Sequence, residues 1–277
     1  MKPDTPVRRR YLIQELKRLR TQRGISQDQV SNQMGWDRGK IHRIENGRLQ
    51  RIKASDVIAL CDFYGASPEE TETLATIARN SRQKGWWFQY QDVLPGPFLG
   101  LEAEAVEISE FSAAIIPGLF QTEDYINSLM DSSIGVAIAP EEKRARVEAR
   151  LKRQESVLGR AEPPLLWTII DEAALRRQVG GAQVMKAQIQ HLVELSQRPN
   201  INIQVLPFAV GAHAAAGLQF TILGFSATDS VVYIETDQDG LYLEEHEQIG
   251  RYKLIFDRLQ ASAVSVERSV AFLAAMT

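Results

Sequence analysis

At 277 residues, with 44% hydrophobic residues and a formal net charge of −3, the chain is long enough for two domains, each with its own core. Residues 1–84 hold 17 Lys and Arg against 10 Asp and Glu, or +7, and the remaining 15 and 25 leave −10, so a basic N-terminal half precedes an acidic one. One cysteine, Cys61, excludes an internal disulfide, no apolar run nears the ~18–20 residues of a membrane span, and the N-terminus lacks a secretory apolar core, so a cytoplasmic protein is expected.

Residues 1–10 read as a basic tail. Leu12, Leu16 and Leu19, with Ile13 and Arg20 alongside, predict a helix over 11–23 that Gly24 stops. Ser26 is placed to cap a helix over Gln27–Met34, buried along Val30 and Met34. Gly35 ends it and Trp36 lies in the turn. Asp37 caps a third helix through Asn46, buried along Ile41 and Ile44 and ended by Gly47. A fourth, Ala54–Tyr64, buries Val57, Leu60, Cys61 and Tyr64. Ser67 caps a fifth, from Pro68 to about Arg82, burying Leu74, Ile77 and Ala78. Five short helices joined by glycine turns predict an all-α bundle over 11–84, and the three-residue turn within 26–47 suits a helix-turn-helix.

The stretch LRTQRGISQDQVSNQMGWDRGKIHRIENGR resembles the Xre/phage-repressor class of DNA-binding domain. The likeness rests on Arg20, the Ser26–Gln27 cap, the small Ser31 where two helices cross (the family's usual residue is Ala), Gly35 and the Ile44–Gly47 ending. It implies that the third helix enters the major groove with Arg38, Gly39 and Arg43 facing bases. Arginine suits guanine, which it can grip bidentately through O6 and N7. The resemblance further implies phosphate contacts from Gln27, Lys40, Asn46 and Arg48, and an internal ion pair between Arg20 and Glu45. Arg8, Arg9 and Arg10 are either a solvated tail or an arm for a neighbouring groove.

Gly85, Pro95, Gly96 and Pro97 mark the boundary to a second domain, residues 85–277, against which Trp86 and Trp87 are expected to dock. A helix over about 100–115 is predicted, then another to about Met130. A long charged helix over 141–158 follows, in which Glu142–Arg146 and Glu148–Lys152 are i,i+4 pairs on a solvated face. The β-branched and aromatic runs 165–171, 201–208, 218–225, 230–236 and 241–245 predict strands. A helix over about 181–197 buries Met185, Ile189, Leu192 and Leu195, and two more span about 246–261 and 265–276. An α+β domain follows, a mainly antiparallel sheet flanked by helices. The segments PGLFQTEDY, ARLKRQESVL, DEAALRRQVGG, IQVLPFAVGAH and VVYIETDQDGLYLE together resemble the C-terminal domain of unknown function of many actinobacterial Xre-type regulators, among them the WhiJ-like developmental regulators.

These likenesses imply a sequence-specific transcriptional regulator, a repressor in the leading reading, that binds a pseudo-palindromic operator in double-stranded DNA as a homodimer. The acidic domain then binds a small partner protein encoded nearby, in an antitoxin-like arrangement that modulates DNA binding; the alternative is a small-molecule effector pocket. The four histidines are dispersed, and there is no P-loop, GxGxxG or GxSxG, so nothing recommends an enzyme, a metal or a cofactor. His213, in the small-residue loop GAHAAAG, is either an ordinary loop histidine or a candidate effector contact. Cys61 reads as core. Asp171-Glu172 beside Arg176-Arg177 reads as i,i+4 pairing. Ile249, Leu254, Ile255 and Leu259 are either a dimer surface or core.

Overall fold

In a computed structural model, which describes residues 7–49, 52–80, 90, 97–132, 139–226, 230–236 and 240–277, the chain divides into two units between residues 86 and 87. The expected docking of Trp86 and Trp87, and any extension of the fifth helix past Asn80, lie outside the described residues.

The N-terminal unit is built on α1 (Val7–Gln22), α2 (Gln27–Met34), α3 (Arg38–Glu45), α4 (Ala54–Tyr64) and α5 (Pro68–Asn80). Their apolar spacing turns Leu12, Leu16, Val30, Ile41, Ile44, Val57 and Leu60 into one core, with Cys61 inside it. The first helix starts four residues earlier than the tail reading allowed. Arg9 explains the extension: its Nη2 donates to the Gly47 carbonyl at 3.0 Å and also to that of Leu49. Carbonyls just past a helix end have no helical partner, and a guanidinium satisfies two at once. Arg9 is thus part of the scaffold rather than of an arm.

The second unit is an α+β domain. Its six strands, β1 (Glu107–Ser112), β2 (Leu165–Asp171), β3 (Ile201–Leu206), β4 (Phe220–Gly224), β5 (Val231–Glu235) and β6 (Gly240–Leu243), lie in the order β3-β2-β1-β4-β5-β6. The β1–β2 and β2–β3 pairings are parallel and the other three antiparallel. The parallel neighbours are joined through α7 (Glu123–Asp131) and α8 (Pro140–Leu158), then through α9 (Glu172–Arg176) and α10 (Ala182–Leu195). Helices α11 (His246–Ser262) and α12 (Val266–Ala274) follow the last strand.

The helix expected over 100–115 is instead α6 (Phe98–Glu104) followed by the central strand β1. A central strand is usually an apolar run. Here EISEFS puts Glu110 inward, and that charge hides the strand period. One face of the sheet, with Phe111, Ile169, Phe220 and Val232, packs on Ile249, Phe256 and Leu259 of α11. Ile249 and Leu259 are therefore core, whereas Leu254 is 53% exposed. The register sets Thr168, Glu110, Thr221, Tyr233 and Tyr242 in one row across β2, β1, β4, β5 and β6 on the opposite face. Glu110, Thr221, Tyr233 and Tyr242 of that row form the floor of a cavity.

Candidate DNA interface and a charged cavity

The first site is α2, the turn and α3. Ser26 Oγ accepts the Gln29 N–H at 3.2 Å while Gln29 Oε1 accepts the Ser26 N–H at 2.8 Å, so α2 opens on a reciprocal cap. Gly35, at φ +64°, closes α2 in the left-handed region that glycine enters without a Cβ penalty. Trp36 and Asp37 complete the turn, and α3 starts at Arg38. Asp37 stands at the cap position but makes no cap bond, which corrects its expected role. Its Oδ2 accepts from Arg43 Nη2 at 2.7 Å instead, and that bond holds the carboxyl below its ordinary range. The Arg43 guanidinium reaches Asp37 across Gly39, where a Cβ would meet Arg43 Nη1 at 2.6 Å.

Of the expected base-facing residues, Arg38 is exposed and makes no ion pair among the described residues. Arg43 is exposed and paired with exposed Asp37. Of the expected phosphate contacts, Arg48 is exposed and makes no ion pair among the described residues. The other three are engaged inside the domain. Gln27 Nε2 donates to Glu45 Oε2 at 2.7 Å, and Asn46 Nδ2 lies 2.9 Å from His42 Nε2. Lys40 Nζ meets Asp56 Oδ1 at 2.9 Å and lies 3.6 Å from the Trp36 ring centre, so it ties α3 to α4 and to the turn. The resemblance implied a phosphate there; the structure gives Lys40 a bracing contact. His42 lies between Gln27 and Asn46 and links their side chains.

Arg20 and Glu45 join α1 to α3 through two bonds, Nε–Oε1 at 2.6 Å and Nη2–Oε2 at 2.9 Å, and the Glu45 hydrogen bond raises the arginine's pKa. Arg20 Nη1 also donates to the Ile25 carbonyl at 2.7 Å, at the start of the α1–α2 turn. A bidentate guanidinium–carboxylate fork fixes orientation as well as distance, so the angle at which α3 is presented is set from behind.

The second site is a cavity of about 440 Å³ in the C-terminal domain, between the polar floor and α8. Arg146, Arg150 and Arg153 sit on one face of α8, at i, i+4 and i+7, and line its roof. The solvated-face reading of this helix therefore fails on the side that carries the arginines. Two of the three have carboxylate partners. Arg146 meets Glu142 at 2.7 Å, and Arg153 grips buried Glu102 bidentately at 2.6 and 2.7 Å. Burial works against the Arg153 charge, but Glu102, Glu110 and Glu235 outweigh it and raise its pKa. The expected Glu148–Lys152 pair does not form: Glu148 accepts the Tyr90 hydroxyl and Lys152 pairs with Glu155.

Arg150 differs. Its contact is Gln121 Oε1 at 3.4 Å, its Nε is buried with no partner, and burial followed by repulsion from Arg153 lowers its pKa. On the floor, burial raises the Glu110 carboxyl to about 7, with Arg153 opposing and Glu102 and Glu235 adding. His213, the candidate effector contact, lies elsewhere, among the contacts of the other sheet face. Its ring meets Phe111 edge-on and its Nε2 is 3.8 Å from Asp171 Oδ2. Asp171 caps α9, and Glu172 pairs with Arg176 at 2.8 Å while accepting the Phe208 N–H, so this charged run holds local structure.

A capped α2, a three-residue turn, and an α3 carrying exposed arginines define a helix-turn-helix DNA-binding domain of the Xre-like type. Residues 12–74 match the family model described as helix-turn-helix domain. Residues 96–275, well over half of the chain, match the model described as domain of unknown function (DUF5753), and the chain belongs to that family. No curated protein and no solved structure matches it. Among the described residues no helix is long and apolar enough to cross a membrane, and no cluster of His, Cys, Asp and Glu has metal-binding geometry.

Proposed function

We propose that this protein is a non-enzymatic, cytoplasmic transcriptional regulator, a repressor of the WhiJ-like actinobacterial type, that reads a specific operator through the first turns of α3. The observation that carries this reading is an exposed Arg38, without an ion pair among the described residues, beside Gly39 at the start of a helix braced from behind by Arg20 and Glu45. Arg38 and Arg43 each take a guanine edge, with Arg43 exchanging Asp37 for the base; the exchange is easy because both partners are exposed. Arg48 meets phosphate. Two recognition helices one DNA turn apart, about 34 Å, require a homodimer on a pseudo-palindrome.

Selection of genomic fragments by the full-length protein tests this. One inverted-repeat motif is expected, and Arg38→Ala or Arg43→Ala should relax the preference at one base pair per half-site while costing about 1–3 kcal/mol. Equal affinity and an unchanged motif for the double variant would overturn the assignment. For the C-terminal domain, the cavity favours a small-molecule effector over the nearby-encoded partner protein, whose support is the family likeness and the acidic charge balance.

A further inference from the structure

The cavity is charged in a divided way. Its roof is cationic, from Arg146, Arg150 and Arg153, and its floor carries the carboxylates Glu110 and Glu235. Glu142 and Glu102 neutralise Arg146 and Arg153, which leaves Arg150 facing Glu110 and Glu235. Among the described residues Arg150 makes no ion pair within 4 Å, and neither floor carboxylate does. Buried charges in folded domains are normally paired, because an isolated one loses its hydration without recompense. A guanidinium cannot escape by losing its proton at physiological pH. Half-buried Arg150 and Glu110, groups of opposite sign without an ion pair within 4 Å among the described residues, with exposed Glu235 beside them, are the complement of a molecule with both signs.

We propose that this cavity binds a small zwitterion of the amino-acid type, its carboxylate on Arg150 and its ammonium over Glu110 and Glu235; this rests on the effector reading above. The planar guanidinium fork matches a carboxylate bidentately. A simple dianion such as phosphate is disfavoured by the two floor carboxylates. An uncharged ligand leaves Arg150 as it is. The rings of Phe98, Tyr233 and Tyr242 stand against one another beside the floor, with centroids 4.2 and 5.1 Å apart, and suit an ammonium or an apolar side chain. The volume falls within the usual range of ligand sites, roughly 300–1,000 Å³. Cavity and row are positioned by the loop after β1. Gln121 donates to the Ile116 carbonyl, and Gln154 to those of Gly118 and Gln121, so the wall beside Arg150 is held by three bonds of 2.8–2.9 Å.

The test uses the full chain and thermal unfolding. Probes are glycine, β-alanine, 4-aminobutyrate, 6-aminohexanoate, phenylalanine and tyrosine, with acetate, inorganic phosphate and butylammonium as single-charge controls. At least one zwitterion should raise Tm by about 5 °C at one hundred times its Kd, and the controls should not. Arg150→Met should abolish that shift and leave the ligand-free Tm unchanged or higher, because an unpaired buried charge is replaced by apolar atoms of similar size. Glu110→Gln, which keeps the shape, should weaken the zwitterion at least tenfold. Failure of every zwitterion, an equal shift from acetate or phosphate, or an Arg150→Met variant with a lower Tm would each overturn the inference. Operator binding measured alongside separates the two levels: a zwitterion that stabilises the protein through Arg150 but leaves operator affinity unchanged refutes the effector role and upholds the site.

Discussion

Ser31 shows what a single buried atom can cost. It is fully buried where α2 crosses its neighbours, and its Oγ has no hydrogen-bond partner. A buried hydroxyl without a partner costs about 1–3 kcal/mol, and alanine is the better helix former. Ser31→Ala is therefore expected to raise the N-terminal unfolding transition by at least about 4 °C in calorimetry; a lower transition would mean that the hydroxyl is satisfied in solution. Cys61 carries no such tension. It lies in the core, and burial pushes its thiol up to about 11. The place of Cys61 was readable from spacing alone, since an apolar position at helical period is core whichever neighbour it meets, whereas Ser31 was placed at the helix crossing only by the resemblance.

At the scale of elements, Gly39 is the informative position for the proposed role of α3 in reading DNA. Glycine weakens a helix by up to about 1 kcal/mol relative to alanine. A Cβ here displaces only the movable end of the Arg43 side chain, so Gly39→Ala should leave the fold intact and not lower Tm. If the α3 backbone comes close to the base edges, the same methyl group should reduce operator affinity at least tenfold. Unchanged affinity in a filter-binding titration would place the first turn of α3 away from the groove. Helix α8 gives the opposite lesson about legibility. Its stripe Arg146, Arg150, Arg153 was present in the sequence at i, i+4 and i+7, but charge at helical spacing is the ordinary mark of a solvated face. Only the floor laid by β1, β4 and β5 turns that stripe inward.

At the scale of the whole molecule, the basic half holds the scaffolded recognition helix and the acidic half a cavity whose charge depends on pH. Glu110 shares it with Arg146, Arg150 and Arg153 of α8, Glu235 and Tyr233 of β5, and Tyr242 of β6, with Glu102 of α6 behind Arg153. Its folded pKa of about 7 lies above the ordinary 4.5, so the folded state holds this proton more tightly than the unfolded chain. The C-terminal domain should then lose stability as pH rises from about 4.5 to 7 and change little beyond, by at most about 3 kcal/mol from this group. Glu110→Gln should flatten that part of the profile; an unaltered slope in pH-dependent calorimetry would show that Glu110 ionises normally.

By itself the sequence determined the helix-turn-helix, the charge division and the α+β class with five of its six strands. The charge division is a count, and the elements rest on local periodicity, caps and glycine turns, which act within a few residues. The tertiary structure decided the rest. It drew α1 back to Val7 through Arg9, gave Lys40 to Asp56, turned Asp37 from a cap into a partner for Arg43, and made 107–112 a central strand. It also took His213 away from the cavity and brought Glu110 and Arg150 into it. A charged side chain follows whichever distant partner the fold supplies, and residues 110 and 150 meet only after the sheet has formed.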